Sequence, residues 1–144
     1  ILNLVGFGPL FSELKNYAKK NDLKNVNFFK NKFHLDKFYK KADLFILSSL
    51  YEGFPNVLIE AASYRIPIIS SNFKSGSKEI LLNGDGGSIF KVGDYKKLSH
   101  LIDEFYLNKN KFLVKEKNCA KSLKRFSNKK ILLLFDKILT SFKY

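Results

Sequence analysis

The sequence has no methionine and no tryptophan among its 144 residues, and it begins at Ile1. A translated chain starts with Met, so the expectation is a fragment or a processed piece. Cysteine occurs once, at Cys119, which excludes an internal disulfide and permits a reducing compartment. The two histidines, His34 and His100, are far apart and have no cluster of metal-ligating residues beside them. Neither a structural zinc nor a Cys–His pair is expected. Arginine is confined to Arg65 and Arg125, so the 26 basic residues are otherwise lysine. Readers of base edges lean on the bidentate Arg fork, so the positive charge fits bulk electrostatics better than sequence readout. Long apolar runs are missing too. The longest, Ile131–Phe135, falls far short of the roughly 20 residues of a membrane span. Ile1–Val5 lacks the basic segment and longer apolar core of a signal peptide.

What is present is enough for one ordinary domain with a real core. Apolar residues make up 45%, with 15 Phe and 7 Tyr, which excludes a disordered tail. The net charge is +13, and residues 109–144 carry nine of those charges. Along the chain, short apolar runs alternate with helical spacing. Strands are expected at Ile1–Val5, Val26–Phe29, Leu44–Leu47, Pro67–Ser70 and Ser88–Phe90. Helices are expected at Ser12–Lys20, Leu35–Ala42, Asn56–Tyr64, Ser77–Leu82, Tyr95–Leu107, Phe112–Leu123 and Lys130–Phe142, with Asn108–Lys111 as a loop between two of them. That order predicts an α/β domain with a parallel sheet covered by helices on both faces, and a helical C-terminal tail.

In open parallel sheets, ligands sit where strand ends feed helix N-termini. Two such loops carry chemistry. Gly6-Phe7-Gly8-Pro9 lets the backbone turn tightly and approach an anion at the following helix, although a plain tight turn is the more common explanation of a lone Gly-x-Gly. A dinucleotide fingerprint needs a third small residue and an acid after the next strand. The chain has Phe11 and Phe28-Phe29-Lys30 there, so no nicotinamide cofactor is expected. The second loop follows the buried strand and reads Ser48-Ser49-Leu50-Tyr51-Glu52-Gly53-Phe54-Pro55-Asn56-Val57-Leu58-Ile59-Glu60. Pro55 suits a first helical position and Asn56 could cap, so either register starts the helix. Amides around Asn56–Leu58 would face a phosphate. Glu52 and Glu60 can border one cleft, each able to accept from vicinal hydroxyls. Taken alone, two glutamates so spaced are more often a loop acid and a solvated helix residue.

The string Glu52-Gly-Phe-Pro-Asn-Val-Leu-Ile-Glu60 resembles the Glu-x7-Glu motif of retaining family 4 glycosyltransferases, which have the GT-B fold. Leu4–Leu10 resembles that family's glycine turn, and Val26–Phe29 its strand before the base-binding loop. Lys41–Ser49 resembles the strand preceding the motif. Pro67–Ser71, Ser75–Ile80 and Val92-Gly93-Asp94 also match in order. The resemblance covers residues 1 to about 108. It implies a partial Rossmann-like, nucleotide-sugar-binding domain over 1–108, entered at what would be its second strand. Residues 109–144 are then basic helices packing on the same domain or on a missing N-terminal one.

By the same resemblance, Glu60 meets the nucleotide ribose, and Glu52 meets the transferred sugar or its phosphate as the catalytic-site residue. Amides of Gly53, Phe54, Pro55 (by backbone alone), Asn56 and Val57 would flank the sugar and diphosphate. Gly6, Phe7, Gly8 and Pro9 lie near the diphosphate, and Lys30, Asn31 and Phe33 near the base. Lys30 stands where family members commonly carry Gly, and Ser77 where a Pro is common. The implied reaction moves a hexose or N-acetylhexosamine from a nucleotide-diphosphate sugar, most often UDP-linked, to a saccharide or lipid-linked acceptor in bacterial surface polysaccharide synthesis. The nucleotide-sugar is a substrate; no metal and no cofactor are expected. Charge on the leaving diphosphate is stabilised by amides and cations, and no nucleophile with an adjacent base is assigned. The family's diphosphate-binding Arg and Lys, and its acceptor domain, would lie upstream of Ile1. The fragment alone is therefore expected to bind donor weakly and to catalyse nothing.

The tail has two readings: a basic amphipathic surface on anionic membrane, or a packing helix with a wet lysine face. The expected location is cytoplasmic, with the inner face of the plasma membrane as a peripheral site. Rival functions are a non-catalytic nucleotide-sugar module and a basic nucleic-acid binder. The scarcity of Arg, and aromatics that alternate with core positions, argue against nucleic acid as a partner.

Overall fold

The computed structural model describes residues 1–30 and 35–141. They form two compact units, residues 1–38 and the chain from Tyr39 onward. In the first unit, β1 (Leu2–Val5) leads through the glycine turn to α1 (Phe11–Lys20) and then β2 (Val26–Phe29). The two strands pair in parallel with Leu2 opposite Val26 and Val5 opposite Phe29. Glu13 in the first turn of α1 and Lys19 and Lys20 in the last complement the helix dipole. Packing here is light. Ala18 is the buried residue of α1, all four residues of β1 are exposed, and Phe11 meets Phe28 edge to face at 5.9 Å. The turn α2 (Asp36–Tyr39) crosses into the second unit.

The second unit holds a three-stranded parallel sheet in the order β3 (Phe45–Leu47), β4 (Ile68–Ser71), β5 (Ser88–Phe90). The helix α3 (Asn56–Ser63) links β3 to β4. The single turn α4 (Ser77–Ile80) and a 3-10 turn (Leu82–Gly84) link β4 to β5. Central position decides burial: every residue of β4 is buried, including Ser70 and Ser71. Ile69 and Phe90 pack with Leu101 and Phe105 of α5 (Tyr95–Leu107) and Phe112 of α6 (Lys109–Ser122). A second 3-10 turn (Leu123–Phe126) leads to α7 (Asn128–Ser141), in which no residue is buried. Among the described residues, no helix is long and apolar enough to cross a membrane.

Strands and helices fall where the apolar pattern put them, with three corrections. The expected helix at Leu35–Ala42 shrinks to the one turn of α2. Asn108–Lys111 is not a loop. Asn108 is the cap of α6, its side chain accepting from the Lys111 N–H at 3.3 Å, and the helix runs from Lys109. Asn108 alone separates α5 from α6, because lysine is a good helix former once a cap is supplied. α3 begins at Asn56 as expected, but Pro55 occupies the cap position, so neither Pro55 as first helical residue nor Asn56 as cap occurs. Phe142, the end of the last expected helix, lies outside the described residues, as do Asn31 and Phe33.

Candidate functional site

The loop from β3 to α3 is held by hydroxyl groups from neighbouring strand ends. Ser71, at the end of β4, donates its Oγ–H to the Ser49 carbonyl at 2.6 Å. Ser49 in turn donates to Glu52 Oε1 at 2.6 Å, and Ser75 Oγ donates to the Glu52 carbonyl. Glu52 is thus fixed at both backbone and carboxylate while remaining partly exposed. The Ser75-Gly76 turn can approach so closely because Gly76 has φ +83°, the left-handed region, and no Cβ. A Cβ on it would stand 2.6 Å from Pro55 Cδ. Phe54 lies edge to face with Phe126 at 5.9 Å, so the turn after α6 supports the loop from another side.

At the start of α3, the Asn56 N–H donates to the Phe54 carbonyl and the Leu58 N–H to that of Pro55, each at 2.9 Å. Two of the amides expected to face a phosphate are therefore engaged in the turn that opens the helix. Gly53 and Asn56 are exposed, Val57 is half-buried, and Pro55 is buried. Further along α3, Glu60 is exposed and its Oε2 accepts from the Tyr39 hydroxyl at 2.9 Å. The Tyr39 ring stacks on Tyr64 with centroids 5.1 Å apart and planes 20° from parallel. Burial, reinforced by the hydrogen bond and charge of Glu60, pushes the Tyr39 hydroxyl well above the ordinary tyrosine range. It remains a donor at any physiological pH.

In the first unit, Gly6, Phe7, Gly8 and Pro9 line an open groove with Leu4 and Phe28. Its walls are mainly apolar, so an anion there would rely on backbone amides. The Gly6 N–H already donates to the Phe29 carbonyl at 2.9 Å. Lys30 is exposed at the end of β2, its ammonium 5.6 Å from the Phe11 ring centroid. The structure thus brings Glu52, Phe54, Pro55 and the Ser75-Gly76 turn into contact, and gives Glu60 a separate partner in Tyr39. Sequence reasoning missed Tyr39, Ser71 and the buttressing role of Ser75 and Gly76. Ser75 and Gly76 stood in a recognised motif, but nothing local marks their reach to Glu52 and Pro55. Among the described residues, no group of three or more His, Cys, Asp or Glu side chains could hold a metal ion.

The family model described as "Glycosyl transferases group 1" matches residues 1–131. An α-1,4-N-acetyl-D-galactosaminyltransferase of Campylobacter jejuni, acting on a diNAcBac-PP-undecaprenol-linked saccharide, is 30% identical over 118 residues. The match covers 82% of this chain and 32% of that protein. Protein CapJ of Staphylococcus aureus is 29% identical, covering 98% of this chain and 38% of its own. The chain spans about a third of the length of these curated relatives. The crystal structure of HepE from Anabaena, in complex with UDP and glucose, superimposes with a TM-score of 0.84 at 22% identity. That match covers 97% of this chain and 40% of HepE. It shows the fold, an α/β arrangement of the GT-B type with a helical C-terminal tail.

Proposed function

Since the chain belongs to the glycosyl transferases of group 1, we propose that it is the nucleotide-sugar-binding part of a retaining, family 4 enzyme. In this reading the donor is a UDP-linked hexose or N-acetylhexosamine. The acceptor is a saccharide or lipid-linked glycan of a bacterial surface polysaccharide, received by a further domain. The observation that carries it is the placement of Glu52 and Glu60. Both lie on the segment leaving β3, and each carboxylate is held by one hydroxyl donor, Ser49 for Glu52 and Tyr39 for Glu60. A carboxylate already oriented costs less to dock against a sugar hydroxyl than a mobile one.

Glu60 then accepts from the ribose, and Glu52 from the transferred sugar or its environment. Backbone groups of Gly53, Phe54 and Val57 line the diphosphate. Residues 1–108 form the donor domain and 109–144 its helical extension, and the enzyme works in the cytoplasm. Departure of the nucleoside diphosphate builds negative charge, which positioned amides and cations stabilise. The isolated chain binds donor weakly and does not transfer sugar.

The test is a panel of uridine, guanosine and adenosine diphosphates and their sugars, with Glu60→Ala and Glu52→Ala. Binding is measured on this chain and turnover on the intact enzyme. Glu60→Ala should weaken nucleotide binding about tenfold or more, the loss of a hydrogen bond to a charged group. Glu52→Ala should lower turnover of the nucleotide-sugar while leaving the free diphosphate's affinity within about threefold. If neither substitution weakens binding or turnover, the site is elsewhere.

A further inference from the structure

Tyr39 lies 21 residues before Glu60, outside the Glu52–Glu60 motif, yet donates its hydroxyl to Oε2 of that glutamate at 2.9 Å. The tyrosine is 7% exposed, whereas the glutamate it meets is exposed. A buried phenol that spends its one O–H on an exposed carboxylate fixes the rotation of the carboxylate plane. Oε1 and the second lone pair of Oε2 stay available to further donors. The phenol is itself immobilised. Tyr64, at the end of α3, stacks on one side at 5.1 Å, and Phe45 of β3 packs against it at 5.9 Å. The hydroxyl is thus a fixed point set by the sheet and the helix, and Glu60 is tied to it.

We propose that Tyr39 is a positioning residue that orients the Glu60 carboxylate toward two adjacent hydroxyls and so sets the site's preference for a vicinal diol over a deoxy sugar. This rests on the reading of Glu60 as the ribose contact. Two neighbouring hydroxyls need both carboxylate oxygens in one plane, while a single hydroxyl is satisfied by either oxygen in many rotamers. Fixing the plane before binding therefore helps the diol selectively.

The experiment is calorimetric titration of the full chain. Among UDP, GDP and ADP the tightest binder is chosen and compared with its 2′-deoxy counterpart on wild type, Tyr39→Phe, Glu60→Asp and Glu60→Ala. Tyr39→Phe removes one oxygen and leaves every ring contact, and circular dichroism checks its fold. Glu60→Asp keeps the charge but draws it back from the phenol, giving a second route to the same broken contact. The expected result is a roughly 3- to 10-fold loss for the ribonucleotide in both variants, with the deoxy ligand unchanged within about twofold. Tyr39→Phe combined with Glu60→Ala should bind no more weakly than Glu60→Ala alone. Equal weakening of both ligands by Tyr39→Phe overturns the proposal, because a merely structural role acts on both. A ribo-to-deoxy ratio lost in Glu60→Ala but intact in Tyr39→Phe overturns the role of Tyr39 and keeps that of Glu60. A ratio intact in Glu60→Ala overturns the ribose reading, and the Tyr39 proposal with it.

Discussion

At the scale of single residues, the glycines separate by what surrounds them. Gly76 combines φ +83° with a neighbour, Pro55 Cδ, 2.6 Å from where a Cβ would sit. Gly53 has open space and no such φ, although it lies inside the motif. Gly76→Ala should therefore lower stability by about 1–3 kcal/mol, through backbone strain and displacement of the Pro55 ring. On the proposed reading it should also lower turnover of the nucleotide-sugar by the intact enzyme, because the Ser75 bond to the Glu52 backbone moves with the turn. Gly53→Ala should stay within about 0.5 kcal/mol in urea unfolding. Equal losses for the two would contradict the close-approach account. The two candidate glutamates can be paired from the sequence alone because their spacing is local. The hydroxyls that orient them are only partly legible there. Ser49 stands three residues from Glu52, but Tyr39 and Ser75 reach their partners across 21 and 23 residues. Only the packing of one element on another sets such contacts.

At the scale of elements, the end of α3 is stitched to α6. Arg65 follows the helix with φ 62°, its N–H donating to the Ala62 carbonyl at 3.1 Å, while the Ile66 N–H reaches Ala61 at 3.2 Å. This is the left-handed helix ending for which glycine is usual. Here the side chain supplies a reason for arginine: Nε meets Glu116 Oε1 at 2.5 Å, and Glu116 is 5% exposed on α6. Arg65→Ala should cost about 1–3 kcal/mol, since it leaves a buried carboxylate without its charge partner in a half-exposed pair. Arg65→Gly should cost about 1 kcal/mol less, because the backbone strain is relieved as well. Thermal or urea unfolding ranks the two, and the reverse order would contradict this account. The order of strands and helices was readable from apolar periodicity because each element buries its own stripe. The start of α6 was misread because its first turn is lysine and asparagine, which look like loop composition until Asn108 is recognised as a cap.

At the scale of the whole molecule, charge and apolar surface converge on the C-terminal segment. α7 leaves Ile131, Leu132, Leu133, Leu134, Phe135, Ile138 and Leu139 exposed, interleaved with Lys129, Lys130 and Lys137. If that face is a membrane surface, the chain should co-sediment with anionic vesicles and not with neutral ones, and added salt should release it. Equal, negligible binding to both would end the membrane reading. Cys119 reports on the opposite extreme. It is 1% exposed, and burial pushes its thiol from the ordinary 9.0 up to about 11. The native state holds that proton more tightly than the unfolded state, so this contribution is intact below pH 9 and is lost as pH rises toward 11. The urea midpoint should fall across that window, and Cys119→Ala should flatten the part of the fall that begins near pH 9. The contrast between a central strand with every residue buried and a last helix with none buried has a kinetic consequence. Amide hydrogens of α7 should exchange with deuterium through local fraying, while those of Ile68–Ser71 wait for the sheet to open as a unit. Time, read element by element in heavy water, would then recover the burial map of the fold.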